Sequence, residues 1–110
     1  MRFAATHPRP RATLADVVTH AEHVRDVAGI DHIGIGGDYD GTDDLPDGLQ
    51  DVSCYPALIA ALLDRGWSEQ DCSKLTSGNV LRALQAAEDA AAAISATRGP
   101  SAATITDVDG

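Results

Sequence analysis

Two carboxylates, Asp38 and Asp40, follow the run Ile33-Gly34-Ile35-Gly36-Gly37 and precede Gly41 and Thr42. A carboxylate just past the end of a buried strand faces an open mouth, while the strand behind it is packed and rigid. α/β enzymes place their chemistry there. Such a group can move a proton or attack as a nucleophile. Asp43, Asp44, Asp47 and Asp51 come next, so residues 37–52 form the densest acidic stretch of the chain. The plain alternative is that Asp38 is a turn acid capping backbone amides. Local sequence leaves both readings open.

Other chemistries compete for these residues. Asp38-Tyr39-Asp40-Gly41-Thr42 fits the DxDGT pattern of haloacid-dehalogenase-type phosphatases, with Asp38 as nucleophile and Asp40 as general acid. Against it, a Gly-Gly pair precedes the acids, and no second strand ending in Ser or Thr follows. An EF-hand needs Gly at the sixth loop position and Glu at the twelfth. Counted from Asp38, Asp43 and Leu49 stand there instead. Gly34-Ile35-Gly36 does not extend to a dinucleotide fingerprint, because Tyr39 takes the place of the last glycine. His20 and His23 are three apart on one helix and lack a third ligand nearby, so they read as a solvated face and no metal ligand is assigned. The DxDG at Asp107-Val108-Asp109-Gly110 reads as chance in an Asp-rich tail. Cys54 and Cys72 show no CxxC and read as free, partly buried thiols.

The elements that must position Asp38 follow from periodicity. Residues 1–12, with Pro8 and Pro10, are linker-like. Thr13 with Asp16 forms a capping box. Leu14, Val17, Val18, Ala21, Val24 and Ala28 then repeat at helical spacing until Gly29. Ile30 to Gly36 is the one convincing strand, and Gly34 and Gly36 on one face predict a close approach to its backbone. Ser53 is placed to cap a helix through Tyr55, Leu58, Ile59, Leu62 and Leu63, ending at Gly66. Ser68 with Asp71 caps a short helix to about Leu75, with Trp67 and Cys72 at staple positions. Thr76-Ser77-Gly78-Asn79 predicts a break before a last helix carrying Val80, Leu81, Leu84, Ala87 and Ala91. From Ser95 the chain reads as a mobile tail. A single apolar strand needs neighbours on both sides, so these elements point to part of a larger α/β domain. Taken alone, the chain is expected to keep its helices without cooperative tertiary structure.

Bulk numbers exclude some functions. The 110 residues suffice for one domain at most, with 44% hydrophobic and only 4% aromatic residues. A net charge of −9 argues against a nucleic-acid backbone or an anionic membrane surface as partner. No apolar run approaches a membrane span, and Met1 to Ala5 is too short for a secretory signal, so a cytoplasmic protein is expected.

Several blocks together resemble a known family. Residues 12–17 and 27–41, with Gly36-Gly37-Asp38-Tyr39-Asp40-Gly41 at their end, are similar to the C-terminal part of the membrane dipeptidase (renal dipeptidase) family of metallopeptidases. So are Asp51-Val52-Ser53, Tyr55-Pro56, Gly66-Trp67-Ser68-Glu69 and Gly78-Asn79-Val80-Leu81-Arg82. The resemblance spans about residues 7–94 and makes 1–94 a C-terminal barrel portion, with 95–110 as the tail. It implies an α/β fold: a fragment of an amidohydrolase-like (β/α)₈ TIM barrel, mostly helical, with Ile33–Gly36 as its eighth strand. It implies a zinc-dependent dipeptidase with two zinc ions, acting on small dipeptides, possible as a homodimer. Asp38 matches the family's strand-eight aspartate, which acts in proton transfer. The family's ligands are an early His-x-Asp pair, a bridging Glu and two later His. None of His7, His20, His23 or His32 stands in a His-x-Asp pair, so the metal ligands are not expected in this chain and the isolated chain is expected to be inactive. A non-catalytic helical binding module is the remaining alternative.

Overall fold

Thr13 opens the first helix as its sequence requires. In the computed structural model, which describes residues 9–109, its hydroxyl accepts from the Asp16 amide, and the Asp16 carboxylate accepts from the Thr13 amide at 2.9 Å. This reciprocal box satisfies two amides that the helix start leaves without partners. Helix α1 spans Leu14–Ala28 and ends at Gly29, whose φ of 92° is a conformation that glycine adopts without side-chain strain. His7 lies outside the described residues.

The chain then departs from expectation. Ile30–His32 is a 3₁₀ turn, and no strand occurs among the described residues. Ile33 is extended, with φ −123° and ψ 143°, but residues 33–37 have no ladder partner. A strand is defined by its neighbours, and the described residues supply none, so local β-character produces an extended run and not a sheet. The close approach expected at the glycines is also missing. A Cβ on Gly36 would meet nothing within 4 Å, and one on Gly34 would meet only the Leu75 carbonyl, at 4.0 Å. One isolated parallel bridge joins Thr13 to Asp47.

Val52–Cys54 forms a second 3₁₀ turn leading into α2, Tyr55–Asp64. Asp51 caps that turn, its carboxylate accepting from the Ser53 amide at 2.8 Å, while α2 starts from Cys54 with no side-chain cap, so Ser53 does not cap it as expected. The carboxylate reaches further than a serine hydroxyl and meets both donors of Ser53, amide and hydroxyl. Arg65 and Gly66, with φ 94° at the glycine, turn the chain out of α2. Ser68 accepts from the Asp71 amide at 3.0 Å and starts α3, Glu69–Ser73.

The expected break at residues 76–79 is instead a π-turn, Lys74–Gly78, which runs directly into α4, Asn79–Ser95. Thr76 keeps the backbone satisfied, its hydroxyl donating to the Cys72 carbonyl at 2.9 Å. A glycine suits this turn, since a Cβ at 78 would stand 3.4 Å from the Ser73 carbonyl oxygen.

The described residues divide into two units, one up to Val80 and one from Leu81. In the first, Val18, Ile33, Leu49, Leu58, Leu62, Trp67, Cys72 and Leu75 make one buried cluster, with Leu58 and Leu62 the most enclosed. Trp67 and Cys72 both belong to it, as their staple positions predict. The Arg25 guanidinium lies 4.6 Å from the Trp67 ring centroid, a cation–π contact over a ring that is 2% exposed. The Trp67 indole N–H has no acceptor among the described residues. Glu22 and Arg65 join α1 to the end of α2 at 2.6 Å. The second unit holds the alanine-rich run of α4 and a short helix α5, Ile105–Asp109, which Thr104 and Asp107 cap. Alanine is the strongest helix former, which accounts for a helix without buried apolar anchors there. Among the described residues no helix is long and apolar enough to cross a membrane.

Candidate functional site

The loop from Gly37 to Asp51 carries the acidic residues, and the fold anchors it unequally. Its far end is fixed three ways. The Asp47 amide donates to the Ala12 carbonyl at 2.9 Å, and the Leu14 amide donates to the Asp47 carbonyl at 2.8 Å. Leu49 is buried in the core. Arg9 pairs with Asp44 at 2.6 Å, and Arg11 pairs with Asp47 at 2.7 Å through two of its nitrogens. The Arg11 hydrogen bonds hold the Asp47 carboxyl below its ordinary range, and the Ser53 hydroxyl and amide do the same for Asp51.

The near end is different. Asp38 has φ 51°, a left-handed conformation that Asp tolerates better than most residues, and its carbonyl accepts from the Gly41 amide at 2.9 Å to close a turn. Its carboxylate is exposed and has no hydrogen-bond or ion-pair partner among the described residues. The turn-capping alternative for Asp38 asks for a bond to backbone amides that the side chain does not make. The carboxylate lies over Gly41, where a Cβ would come within 2.9 Å of Cγ and 3.0 Å of Oδ2. Glycine at 41 therefore leaves the carboxylate its place.

Aromatic packing supports this end. Tyr39 and Tyr55 have ring centroids 6.2 Å apart at 45°. A Cβ on Gly37 would meet Tyr39 Cε2 at 2.5 Å and the Tyr55 hydroxyl at 2.9 Å, so the small residue lets the rings close over the backbone. Desolvation, with the nearby Tyr55 adding to it, pushes the Tyr39 phenol above its usual value. Asp40 is exposed and also lacks a partner among the described residues.

An apolar groove of about 340 Å³ runs along residues 33–36, lined also by Val17, Ala21 and Val24 of α1 and by Leu58 and Leu62 of α2. A smaller cavity of about 110 Å³ sits beside Tyr39 and Tyr55. Asp38 lines neither of these two. His20 and His32 border the groove, and His20 and His23 are solvent-exposed on α1. Among the described residues no three His, Cys, Asp or Glu side chains converge to hold a metal ion. Both cysteines are free thiols, and burial pushes the Cys72 thiol up.

One residue of this region escaped the reading from periodicity. Asn79 is 6% exposed, and its amide donates to the Ile30 carbonyl at 2.6 Å and to the Ile33 carbonyl at 2.9 Å. The only sequence signal was its place in the Gly78-Asn79-Val80 block. The run Thr76-Ser77-Gly78-Asn79 by itself reads as a break.

Comparison with known proteins agrees with this arrangement of blocks. The family model of membrane dipeptidase, peptidase family M19, matches residues 3–98. Dipeptidase 3 of Homo sapiens and that of Macaca fascicularis are each 48% identical over 77 residues, which is 70% of this chain and 16% of the relative. Dipeptidase 3 of Rattus norvegicus is 47% identical over the same length and shares. The chain belongs to the membrane dipeptidase family, and its matched stretch spans about one sixth of the length of these relatives.

Proposed function

We propose that this chain is the C-terminal portion of a zinc-dependent dipeptidase built on a (β/α)₈ barrel, and that Asp38 carries a proton during hydrolysis of a dipeptide. The observation that carries this reading is the Asp38 carboxylate, without a partner among the described residues, at the end of an extended run, within a chain matched to the family over residues 3–98. The run 33–37, extended and without ladder partners, is the piece that neighbouring barrel strands would complete.

The described residues do not fit a zinc ion, which needs at least three convergent protein ligands. In this reading the two zinc ions belong to other parts of the enzyme, and the isolated chain is inactive. What this chain contributes is local. Asp38 presents a carboxylate that can accept a proton and return it. Gly41 leaves room for that carboxylate, and the Tyr39–Tyr55 pair supports the turn.

The test places residues 12–94 of this chain in the corresponding stretch of a dipeptide-hydrolysing member of the family. The graft is expected to hydrolyse dipeptides. Asp38→Asn should lower kcat by roughly 10²–10⁴-fold with folding and zinc content intact, the usual worth of a general acid–base group. Asp40→Asn should cost far less. Near-normal turnover in Asp38→Asn would sink the assignment. Equal, complete loss at both positions, with activity on phosphoesters, would favour the phosphatase alternative.

A further inference from the structure

The polar contacts that tether the backbone ahead of Asp38 come from outside the loop. Among the described residues, the amides and carbonyls of residues 34–37 make no hydrogen bond. Upstream of them, the carbonyls of Ile30 and Ile33 both accept from the Asn79 side-chain amide, across 49 and 46 residues of sequence. Asn79 is also the one buried polar side chain among the described residues. Ile33 is buried and Ile35 half-buried, but apolar contacts carry little direction. Two hydrogen bonds from one planar amide do carry it.

The local structure is arranged to deliver that amide. The π-turn Lys74–Gly78 inserts one residue relative to a regular helix, which rotates everything after it by about 100° around the axis. Asn79 is the first residue of the helix after that rotation. The same turn grips the 3₁₀ segment a second time, through Lys74 and Asp31 at 2.8 Å.

We propose that Asn79 is the positioning residue of this site: its amide, held by the π-turn, sets the direction in which residues 33–37 leave the core and so where Asp38 stands. The role assigned to Asp38 rests on the function proposed above. The orientation itself is measurable without activity.

The experiment uses the full 110-residue chain labelled with ¹⁵N, because the buried cluster around Leu58 and Leu62 packs Ile33 within this chain itself. Backbone order parameters are read at Gly34, Gly36, Gly37, Asp38 and Gly41, with Trp67 fluorescence as a report on the core. Asn79→Asp keeps the shape of the side chain and removes both donors. Val18→Ala serves as a control that loosens the same core from α1 while leaving both Asn79 hydrogen bonds in place. In the unaltered chain, residues 34–38 should be near the rigid value of about 0.85, and in Asn79→Asp they should fall below about 0.6. Val18→Ala should leave them unchanged even with a lower thermal midpoint, and Lys74→Met should leave them largely in place. If Asn79→Asp does not fold, Asn79→Ser retains one shorter donor and should give an intermediate loss. Low order at 34–38 in the unaltered chain, unchanged order in the Asn79 variants, or equal loss in Val18→Ala would overturn the proposal. Failure of the graft to hydrolyse dipeptides, with this pattern intact, would remove the role of Asp38 and leave the positioning by Asn79.

Discussion

Asp38, Asp40 and Asp43 occupy the first half of one acidic loop, and Asp44, Asp47 and Asp51 the second. By composition the halves are alike. In the fold they are opposites. The first three have no hydrogen-bond or ion-pair partner among the described residues. Each of the second three is held, by Arg9, by Arg11 and by Ser53. An acidic run is therefore not one feature. The arginines that divide it lie about 35 residues away in sequence, in a segment that reads as a linker. A neutralised carboxylate fastens a loop, whereas an unpaired one is available for chemistry.

The contrast is sharpest in activity. In the family graft described above, Asp38→Asn should reduce kcat by roughly 10²–10⁴-fold. Asp47→Asn should leave turnover within a few fold, because a surface pair of this kind is worth little. Equal losses at the two positions would erase the distinction between the halves.

A smaller effect should follow from crowding the free carboxylate while leaving it ionisable. Gly41→Ala places a methyl group within 2.9 Å of Asp38 Cγ. The carboxylate must turn aside, and displacement of a reacting group by about 1 Å costs up to roughly 10²-fold. We expect a fall in kcat of about tenfold or more with little change in thermal midpoint. An alanine that costs stability and spares kcat would show that Gly41 serves the turn alone.

Acid should act on the held half. The carboxyls of Asp47 and Asp51 lie below their ordinary value in the folded chain. Groups of that kind stabilise above the unfolded value of about 3.9, and the contribution is lost as pH falls through the folded value. Loosening of residues 44–51 should thus begin below about pH 4. Asp47→Asn and Asp51→Asn should flatten that pH dependence, followed by amide shifts of Leu49 and Ser53. Asp40→Asn should leave those shifts as they are.

The least effect is expected from Arg11→Gln. Arg11 and Asp47 are both well exposed, so the thermal midpoint should fall only slightly. In 1 M salt, where the Debye length is about 3 Å, the difference from the unaltered chain should vanish. A deficit that persists in salt would mean that the guanidinium packs as well as pairs.

What could be read from the residues alone was local. Thr13 with Asp16, Gly29, Gly66 and Ser68 mark helix ends because caps and left-handed turns depend on neighbours a few positions away. The apolar spacing of Leu14 to Ala28 and of Leu58 to Leu62 picks out core-facing residues for the same reason. The order of the GGDYDG, DVS and GWSE blocks, a property of the chain as a string, was enough to point to the family. Tertiary structure decided the rest. Ile30 to Gly36 has the composition of a strand, yet whether it is one depends on partners that no local signal supplies. Residues 76–79 look like a break, yet Lys74–Gly78 is a π-turn that continues into α4, and Asn79 just after it bonds two carbonyls some 46 to 49 residues away. That Asp44 and Asp47 are held is settled by where Arg9 and Arg11 arrive, whereas Asp51 is held locally by Ser53. Capping and periodicity act within a turn or two of helix, whereas hydrogen bonds and ion pairs between distant residues exist only once the chain has brought them together.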